Sequence, residues 1–245
     1  MQEKFEIKEG AFVVADAHYS HKRPLFLDFL KDIYSHTLRP TQLILMGDIF
    51  DALFGEIPYT HTINQEAINL INEISKEIEV IYLEGNHDFN LKKIFPNIKV
   101  FPIASQPLTC SYKEKKVLLS HGDIEGALGY KIYTKAIRNH YVLLLLRAVD
   151  TVLKNGILKR LDLYLSQKND CKEFVGLESF MSKRLSEKYS CDYFVEGHFH
   201  QNKMIKMRDF IYINLGAFAC NQRYFIVKST DNIELLEEKI FSKGI

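Results

Sequence analysis

The chain predicts an α/β fold in which sheet and helix alternate, with a helical insertion in its second half. Three observations predict it. Short apolar runs rich in β-branched residues recur in the first half, at Phe12-Val13-Val14-Ala15, Leu43-Ile44-Leu45-Met46, Val80-Ile81-Tyr82-Leu83 and Val117-Leu118-Leu119. Stretches between them carry apolar residues near helical spacing, and from residue 127 to about 190 strand-like runs disappear. Runs of this length read as buried strands, and their alternation with helical patterns argues for an α/β sheet sandwich over an all-β or all-α fold.

Taken in order, residues 23–35 present Leu25, Phe26, Phe29, Leu30 and Ile33 to one helical face. Residues 61–78 repeat the pattern with Ile63, Ala67, Leu70, Ile71, Ile74 and Ile78. Pro96, Pro102 and Pro107 punctuate short strands or loops around 95–110. Helical spacing then runs from Tyr130 through Leu165 and again from Phe174 to Leu185, with breaks expected at Gly156 and Ser166–Asp170. Strands return at 192–196, 209–215 and 223–228, and no repeat or low-complexity tract appears. The expected organisation is one domain, 1–245, with a helical insertion or lid at about 127–190.

Composition narrows the class. A net charge of +1 in 245 residues gives no global attraction to nucleic acid, and none is expected as a partner. Cys110, Cys171, Cys191 and Cys220 lie far apart without CxxC spacing, which predicts reduced thiols rather than a disulfide framework or zinc ribbon. Met1-Gln2-Glu3-Lys4-Phe5 lacks the basic and apolar regions of a signal peptide, and no segment approaches the ~18–20 apolar residues of a membrane span. A soluble, cytoplasmic protein is expected. Its oligomeric state is not legible.

The chemistry is written in five short segments. These are Asp16-Ala17-His18, Gly47-Asp48-Ile49-Phe50-Asp51, Gly85-Asn86-His87-Asp88, His121-Gly122-Asp123 and Gly197-His198-Phe199-His200. Four follow the apolar runs above, and the fifth follows Tyr193-Phe194-Val195. Open α/β sheets place their chemistry just beyond the carboxyl ends of strands. Five strand ends would therefore bring Asp, His and Asn to one edge. If strand geometry persists past Ala15, Asp16 and His18 point to one side and grip one ion. His198 and His200 share that spacing, on a strand or on a loop after Gly197. Asp48 is the natural bridge, Asn86 offers a carbonyl oxygen and His121 an imidazole nitrogen. Any one such pair is common on surfaces and in cores, but five in this setting form a joint signal. A mixed N/O set without Cys suits Mn²⁺, Fe²⁺, Zn²⁺ or Co²⁺. Two such ions ~3.5–4 Å apart can orient a phosphate and activate water. That is the chemistry of a metal-dependent phosphoester hydrolase.

The order DxH, GDxxD, GNHD, HGD, GHxH, spanning about residues 10–220, resembles the calcineurin-like metallophosphoesterase family. The resemblance implies a two-sheet β-sandwich flanked by helices and two divalent ions, with Mn²⁺ the expected metal. One ion would be held by Asp16, His18, Asp48 and His200, the other by Asp48, Asn86, His121 and His198. It also implies a catalytic role for His87, with the Asp51 carboxylate orienting it. Asp88, in an expected turn, and Asp123, a possible partner of His121, are left outside the direct ligand set.

The insertion bears on the substrate. His140-Tyr141-Val142-Leu143-Leu144-Leu145-Leu146-Arg147 holds five consecutive aliphatic residues, and Ile157, Leu158, Leu161, Leu163, Tyr164 and Leu165 follow. Lys131, Lys135, Arg138, Arg147, Lys154, Lys159 and Arg160 are interleaved. These leucines either pack the insertion onto itself or form an apolar lid for a substrate with acyl chains and a phosphorylated head. The insertion between HGD and GHxH, and Asn214-Leu215-Gly216-Ala217-Phe218 soon after, resemble the UDP-2,3-diacylglucosamine pyrophosphatase branch of lipid A biosynthesis. That branch typically carries arginine at the position of His87. The resemblance implies cleavage to UMP and diacylglucosamine 1-phosphate, with Asn86, Arg147, Lys159 and Arg160 as candidate substrate contacts and peripheral contact with the inner membrane. The alternative is a broader phosphodiesterase or phosphomonoesterase acting on nucleotides or other phosphate esters.

Overall fold

The computed structural model describes residues 5–123, 128–165, 167–185, 188–230 and 235–242. Its frame is a pair of six-stranded sheets. One sheet contains β1 (Phe5–Glu6), β8 (Leu108–Tyr112), β9 (Lys115–Ser120), β10 (Tyr193–Glu196), β11 (Lys203–Lys206) and β12 (Ile211–Asn214), ordered β1-β8-β9-β10-β12-β11. The other contains β2 (Phe12–Val14), β3 (Gln42–Leu45), β5 (Glu79–Leu83), β7 (Lys99–Phe101), β13 (Arg223–Val227) and β14 (Leu236–Ile240), ordered β14-β13-β2-β3-β5-β7. A small parallel ladder pairs β4 (Leu53–Phe54) with β6 (Asp88–Phe89).

The central strands of each sheet are parallel: β2, β3 and β5 in one, β9, β10 and β12 in the other. Parallel strands are buried on both faces, which is why they are continuous apolar runs in the sequence. Along β2 and β3, Val13 and Ile44 face the other sheet and meet Val117, Val195 and Ile213, while Phe12, Val14, Leu43 and Leu45 face outward. The outward face is covered by α1 (Leu25–Tyr34) and α3 (Gln65–Ile74), which contribute Phe26, Phe29, Leu30, Ala67, Ile68 and Ile71, while α2 (Pro58–Ile63) packs beside β4. The predicted helix 61–78 is thus two helices meeting at Asn64, whose Nδ2 donates to the Ala52 and Thr60 carbonyls.

The segment predicted as an insertion contains α4 (Leu128–Ile137), α5 (His140–Val152), α6 (Gly156–Leu165) and α7 (Leu177–Leu185). Gly156 opens α6 rather than separating two helices, and the break falls at 153–155. There Lys154 and Asn155 have φ of 54° and 60°. Residue 127, Ser166 and the side chain of Lys131 lie outside the described residues. Leu177, Met181 and Leu185 of α7 pack on the outer face of the β9–β10–β12 sheet. Arg184 ties α7 to β10 through a buried pair with Glu196 at 2.5 Å. Leu143, Leu158 and Leu165 of α5 and α6 pack against Ala52, Phe54, Ile57 and Phe89 around the small ladder. The insertion is therefore fixed beside the GDxxD and GNHD segments. A helix, α8 (Phe218–Asn221), follows β12.

One expectation is corrected. Cys171 and Cys220, 49 residues apart in sequence, form a disulfide with Cα atoms 5.6 Å apart, while Cys110 and Cys191 are free. Sequence spacing carried no sign of this, because the pair is made by tertiary proximity of the insertion and α8.

Candidate metal centre

Each ligand segment begins within three residues of a strand end: Asp16 after β2, Asp48 after β3, Asn86 after β5, His121 after β9 and His198 after β10. Five parallel strand ends thus converge. Strand geometry does not persist, however. Asp16, His18, Asp48, His198 and His200 have φ of 52°, 44°, 51°, 61° and 59°, all left-handed. Asp16 and His18 share a side because two successive reversals bring them there, not because they alternate along a strand. Non-glycine residues held in this region store strain of order 1–3 kcal/mol each and concentrate at functional sites.

The backbone shows how the loops are held. Asp16 N–H donates to Gly47 O, and His18 N–H donates to Asp48 O at 3.0 Å. The first two segments therefore zip together beyond their strands. Gly47, at φ +86°, lies so close to the ring of His121 that a Cβ would sit 2.7 Å from its Nδ1. A Cβ at Gly85 would collide with the Asp48 carboxylate. Both glycines are needed for close approach, and Gly47 for its left-handed turn as well.

The side chains form three overlapping groups: Asp16 with His18 and His200, His18 with Asp48 and His87, and Asp48 with His121 and His198. Within each, the ligand atoms lie within 4.8 Å of one another. Asp48 belongs to two groups, as a bridging carboxylate must. Asn86 joins the third through its Oδ1, 3.3 Å from His121 Nε2.

The histidines are oriented through their other nitrogens. His121 Nδ1 lies 3.0 Å from Met46 O, His200 Nδ1 2.5 Å from Asp170 O, and His87 Nδ1 2.8 Å from Asp51 O. A ring N–H donating to a carbonyl fixes the tautomer and leaves Nε2 free for a cation or a substrate oxygen. Asp51 thus meets His87 through its backbone carbonyl, a correction to the expected carboxylate contact. Its carboxylate lies instead 3.3 Å from His18 Nδ1 and 3.4 Å from Arg23 Nη1. The turn of the GDxxD loop points the main chain at His87 and the side chain the other way.

The residues fit a pair of cations. Both nitrogens of buried His18 and Oδ2 of Asp51 have no hydrogen-bond partner in the described structure. Leaving such atoms bare in a protein interior costs ~1–3 kcal/mol each, so a ligand-shaped explanation is required. The electrostatics agree. Burial works against ionisation of Asp48, yet His121, His87 and His18 hold its carboxyl well below the usual range. Burial works against charge on His121 too, but Asp48, Asp16 and Asp88 push it up to about 10. His200 rises to about 8 against burial, because Asp16 lies beside it. His198 falls to about 4 through burial and the neighbouring His121. Protons are standing where positive charge is wanted.

Several functional residues were not read from the sequence. Asp88 accepts from Asp48 N–H, Ile49 N–H, Gly85 N–H and Tyr82 Oη–H at 3.0, 2.6, 2.9 and 2.6 Å, clamping the bridging loop. Burial and the Asp48 charge push its carboxyl up to about 7. Asp123 pairs with Arg138 at 2.9 Å, and Arg138 also donates to Gly85 O. Asp170 and Arg23 join the site from opposite ends of the chain. The candidate substrate contacts Arg147, Lys159 and Arg160 are exposed on the insertion, and no described contact joins them to the ligand cluster. Asp88 was expected to serve a turn and Asp123 to partner His121; the clamp on the Asp48 loop and the pairing with Arg138 were not legible.

Converging strand ends, a shared carboxylate and oriented imidazoles define a metal-dependent phosphoester hydrolase. Residues 11–202 match the calcineurin-like phosphoesterases, and the chain belongs to that family. The family implies divalent metal ions. Curated relatives include UDP-2,3-diacylglucosamine hydrolases of Haemophilus influenzae (strain PittGG), 21% identical over 86% of this chain and 91% of the relative. That of Blochmanniella pennsylvanica is 24% identical over 79% and 80%, and that of Salmonella arizonae 22% over 91% and 96%. Among solved structures, Yfce, a phosphoesterase from E. coli, is 14% identical, covering 95% of this chain and 99% of its own at a TM-score of 0.46.

Proposed function

We propose that the protein is a UDP-2,3-diacylglucosamine hydrolase that releases UMP and diacylglucosamine 1-phosphate. One observation carries the reading: the candidate metal centre stands beside an apolar cavity built by the insertion. The cavity, about 170 Å³, is lined by Phe54, Phe89, Leu143, Leu146, Leu158 and Leu161, among others. Phe89 lies two residues beyond His87 and Phe54 three beyond Asp51, so the cavity adjoins the segments that carry both, and an acyl chain there would leave its phosphorylated head near the metal centre. The shared direction of the curated relatives supports the same substrate.

In this reading Asp16, His18, Asp48 and His200 hold one ion, and Asp48, Asn86, His121 and His198 the other, with Mn²⁺ the expected metal. Bound there, the ions would supply a Lewis-acid centre that lowers the pKa of water and neutralises phosphate charge. His87, with Nδ1 fixed by Asp51 O, presents Nε2 to a phosphoryl oxygen or protonates the leaving phosphate oxygen. The His87 backbone N–H donates to Asp48 Oδ1 at 2.8 Å, which ties the main chain that carries the catalytic ring to the bridging carboxylate. Asn86 would meet the phosphate as well. Arg147, Lys159 and Arg160, exposed on α5 and α6, would serve the charged head group and an anionic membrane surface.

The test is Mn²⁺-dependent hydrolysis of UDP-2,3-diacylglucosamine beside unacylated UDP-N-acetylglucosamine and bis-p-nitrophenyl phosphate, with Asp48→Ala as control. Preference for the acylated nucleotide, lost in the control, is the expected result. Turnover of the simple diester alone would replace this reading with a broader phosphodiesterase or phosphomonoesterase, which the histidine at position 87 favours.

A further inference from the structure

Cys171 follows Asp170, and Asp170 O accepts from His200 Nδ1 at 2.5 Å. Cys220 follows Ala219, whose N–H donates to Asp16 O at 3.1 Å. Asp16 Oδ1 and His200 Nε2 are 3.2 Å apart. The disulfide between Cys171 and Cys220 therefore closes a ring through two members of one metal-ligand group. The same segment is held by Arg23. Its Nη1 meets Asp170 Oδ2 at 2.9 Å and Asp51 Oδ1 at 3.4 Å, and its Nη2 donates to Lys168 O at 3.1 Å. The Asp170 side chain is 3% exposed and that of Arg23 21%, so the pair is half-buried, with its carboxylate end the more sheltered.

We propose that residues 167–171 form a thiol-dependent clamp on the Asp16–His18–His200 side of the metal centre, fastened by the Cys171–Cys220 disulfide, with Arg23 as its positioning residue. The proposal rests on the metal-centre reading above. Fastening removes two electrons and two protons from the Cys171 and Cys220 thiols. A small-molecule disulfide accepts them and leaves as two thiols, and excess thiol reverses the exchange. With the bridge open, the described contacts that keep the Asp170 carbonyl over His200 are those of Arg23 and Lys168 with Asp170 and of Gln201 with Lys172 O. His200 then loses part of the constraint on its tautomer and ring direction. Partners of this kind are worth about 10–100-fold in metal affinity. The second group, Asp48 with His121 and His198, is oriented by Met46 O and lies outside the ring.

The test is calorimetric titration of metal-free protein with Mn²⁺ in two preparations. One is oxidised with a glutathione disulfide, and the other is reduced and freed of reductant. Two binding events are expected in the oxidised form. In the reduced form one should weaken about 10–100-fold while the other is unchanged. Cys171→Ser/Cys220→Ser should match the reduced form in both preparations. Arg23→Gln should weaken the same event with the disulfide intact, and Arg23→Lys should restore part of it. Equal affinities in the oxidised and reduced wild-type chain would overturn the clamp and leave the metal centre standing. Alkylation of both thiols after oxidation would overturn it as well. Absence of Mn²⁺ binding in either form would remove the metal centre and the clamp together.

Discussion

His87 and Asp51 touch at a single point, yet they serve different ends of the site. His87 uses Asp51 only through its backbone carbonyl, while the Asp51 carboxylate faces His18 and Arg23. Substitutions should therefore separate them. His87→Ala should lower kcat about 10²–10⁴-fold, the usual worth of a positioned acid or base, while Mn²⁺ binding is retained. Asp51→Ala keeps the carbonyl and should instead weaken metal binding on the His18 side, with kcat at saturating Mn²⁺ reduced far less. Calorimetry beside steady-state kinetics checks both, and loss of metal in His87→Ala would refute the division. These residues were legible because hydrolytic metal chemistry admits few side-chain types, and those types recur just after apolar strands. The atoms they use were not. Whether Asp51 presents a carbonyl or a carboxylate depends on backbone turns that leave no compositional trace. The left-handed Asp16, His18 and His200 show the same limit, since nothing in Asp-Ala-His announces a reversal.

Between elements, the decisive relation is the one between α5, α6 and the β4–β6 ladder. Leu143 and Leu158 are buried there, and either one cut to Ala should destabilise the chain by about 2–5 kcal/mol. Such variants would confuse folding with binding. Leu146 is the better probe, because it lines the cavity yet is 40% exposed. Leu146→Trp can fill the cavity without overpacking the core. KM for the diacylated nucleotide should rise about tenfold or more, a change of ~1.4 kcal/mol, while bis-p-nitrophenyl phosphate turnover stays unchanged. Equal effects on both substrates would return these leucines to ordinary packing. The insertion's helices were legible from apolar spacing, and so were the central strands. Strands β11 and β14 were not, because Lys203–Lys206 and Leu236–Ile240 are edge strands with mostly exposed side chains and no apolar run. The Cys171–Cys220 pair was invisible for a related reason, since a contact between distant elements has no local pattern.

For the whole molecule, two balances remain: charge inside and apolar surface outside. In the metal-free chain His121 keeps its proton up to about pH 10 and His200 up to about pH 8, whereas His198 is neutral above about pH 4. A histidine must be neutral to bind a cation, so metal binding expels protons and tightens as pH rises. About two protons should be released per chain at pH 7 and about one at pH 9, measured by calorimetry in buffers of different ionisation enthalpy. No release at pH 7 would mean that these imidazoles are not the ligands. The outer surface poses the opposite problem. Among the described residues no helix is long and apolar enough to cross a membrane. Even so, Tyr141, Leu145, Val152 and Leu153 are more than half exposed on and just after α5, beside exposed Arg147 and Lys154. Apolar residues flanked by cations suit a helix lying in the headgroup layer of an anionic bilayer. The protein should therefore float with vesicles containing anionic lipid, and less so as salt is raised. Leu145→Glu/Val152→Glu should abolish flotation without changing hydrolysis of bis-p-nitrophenyl phosphate, because neither side chain lines the cavity. If wild-type protein stays at the bottom of the gradient at low salt, the acylated substrate must be reached without a membrane-resting helix, and the exposed leucines need another partner.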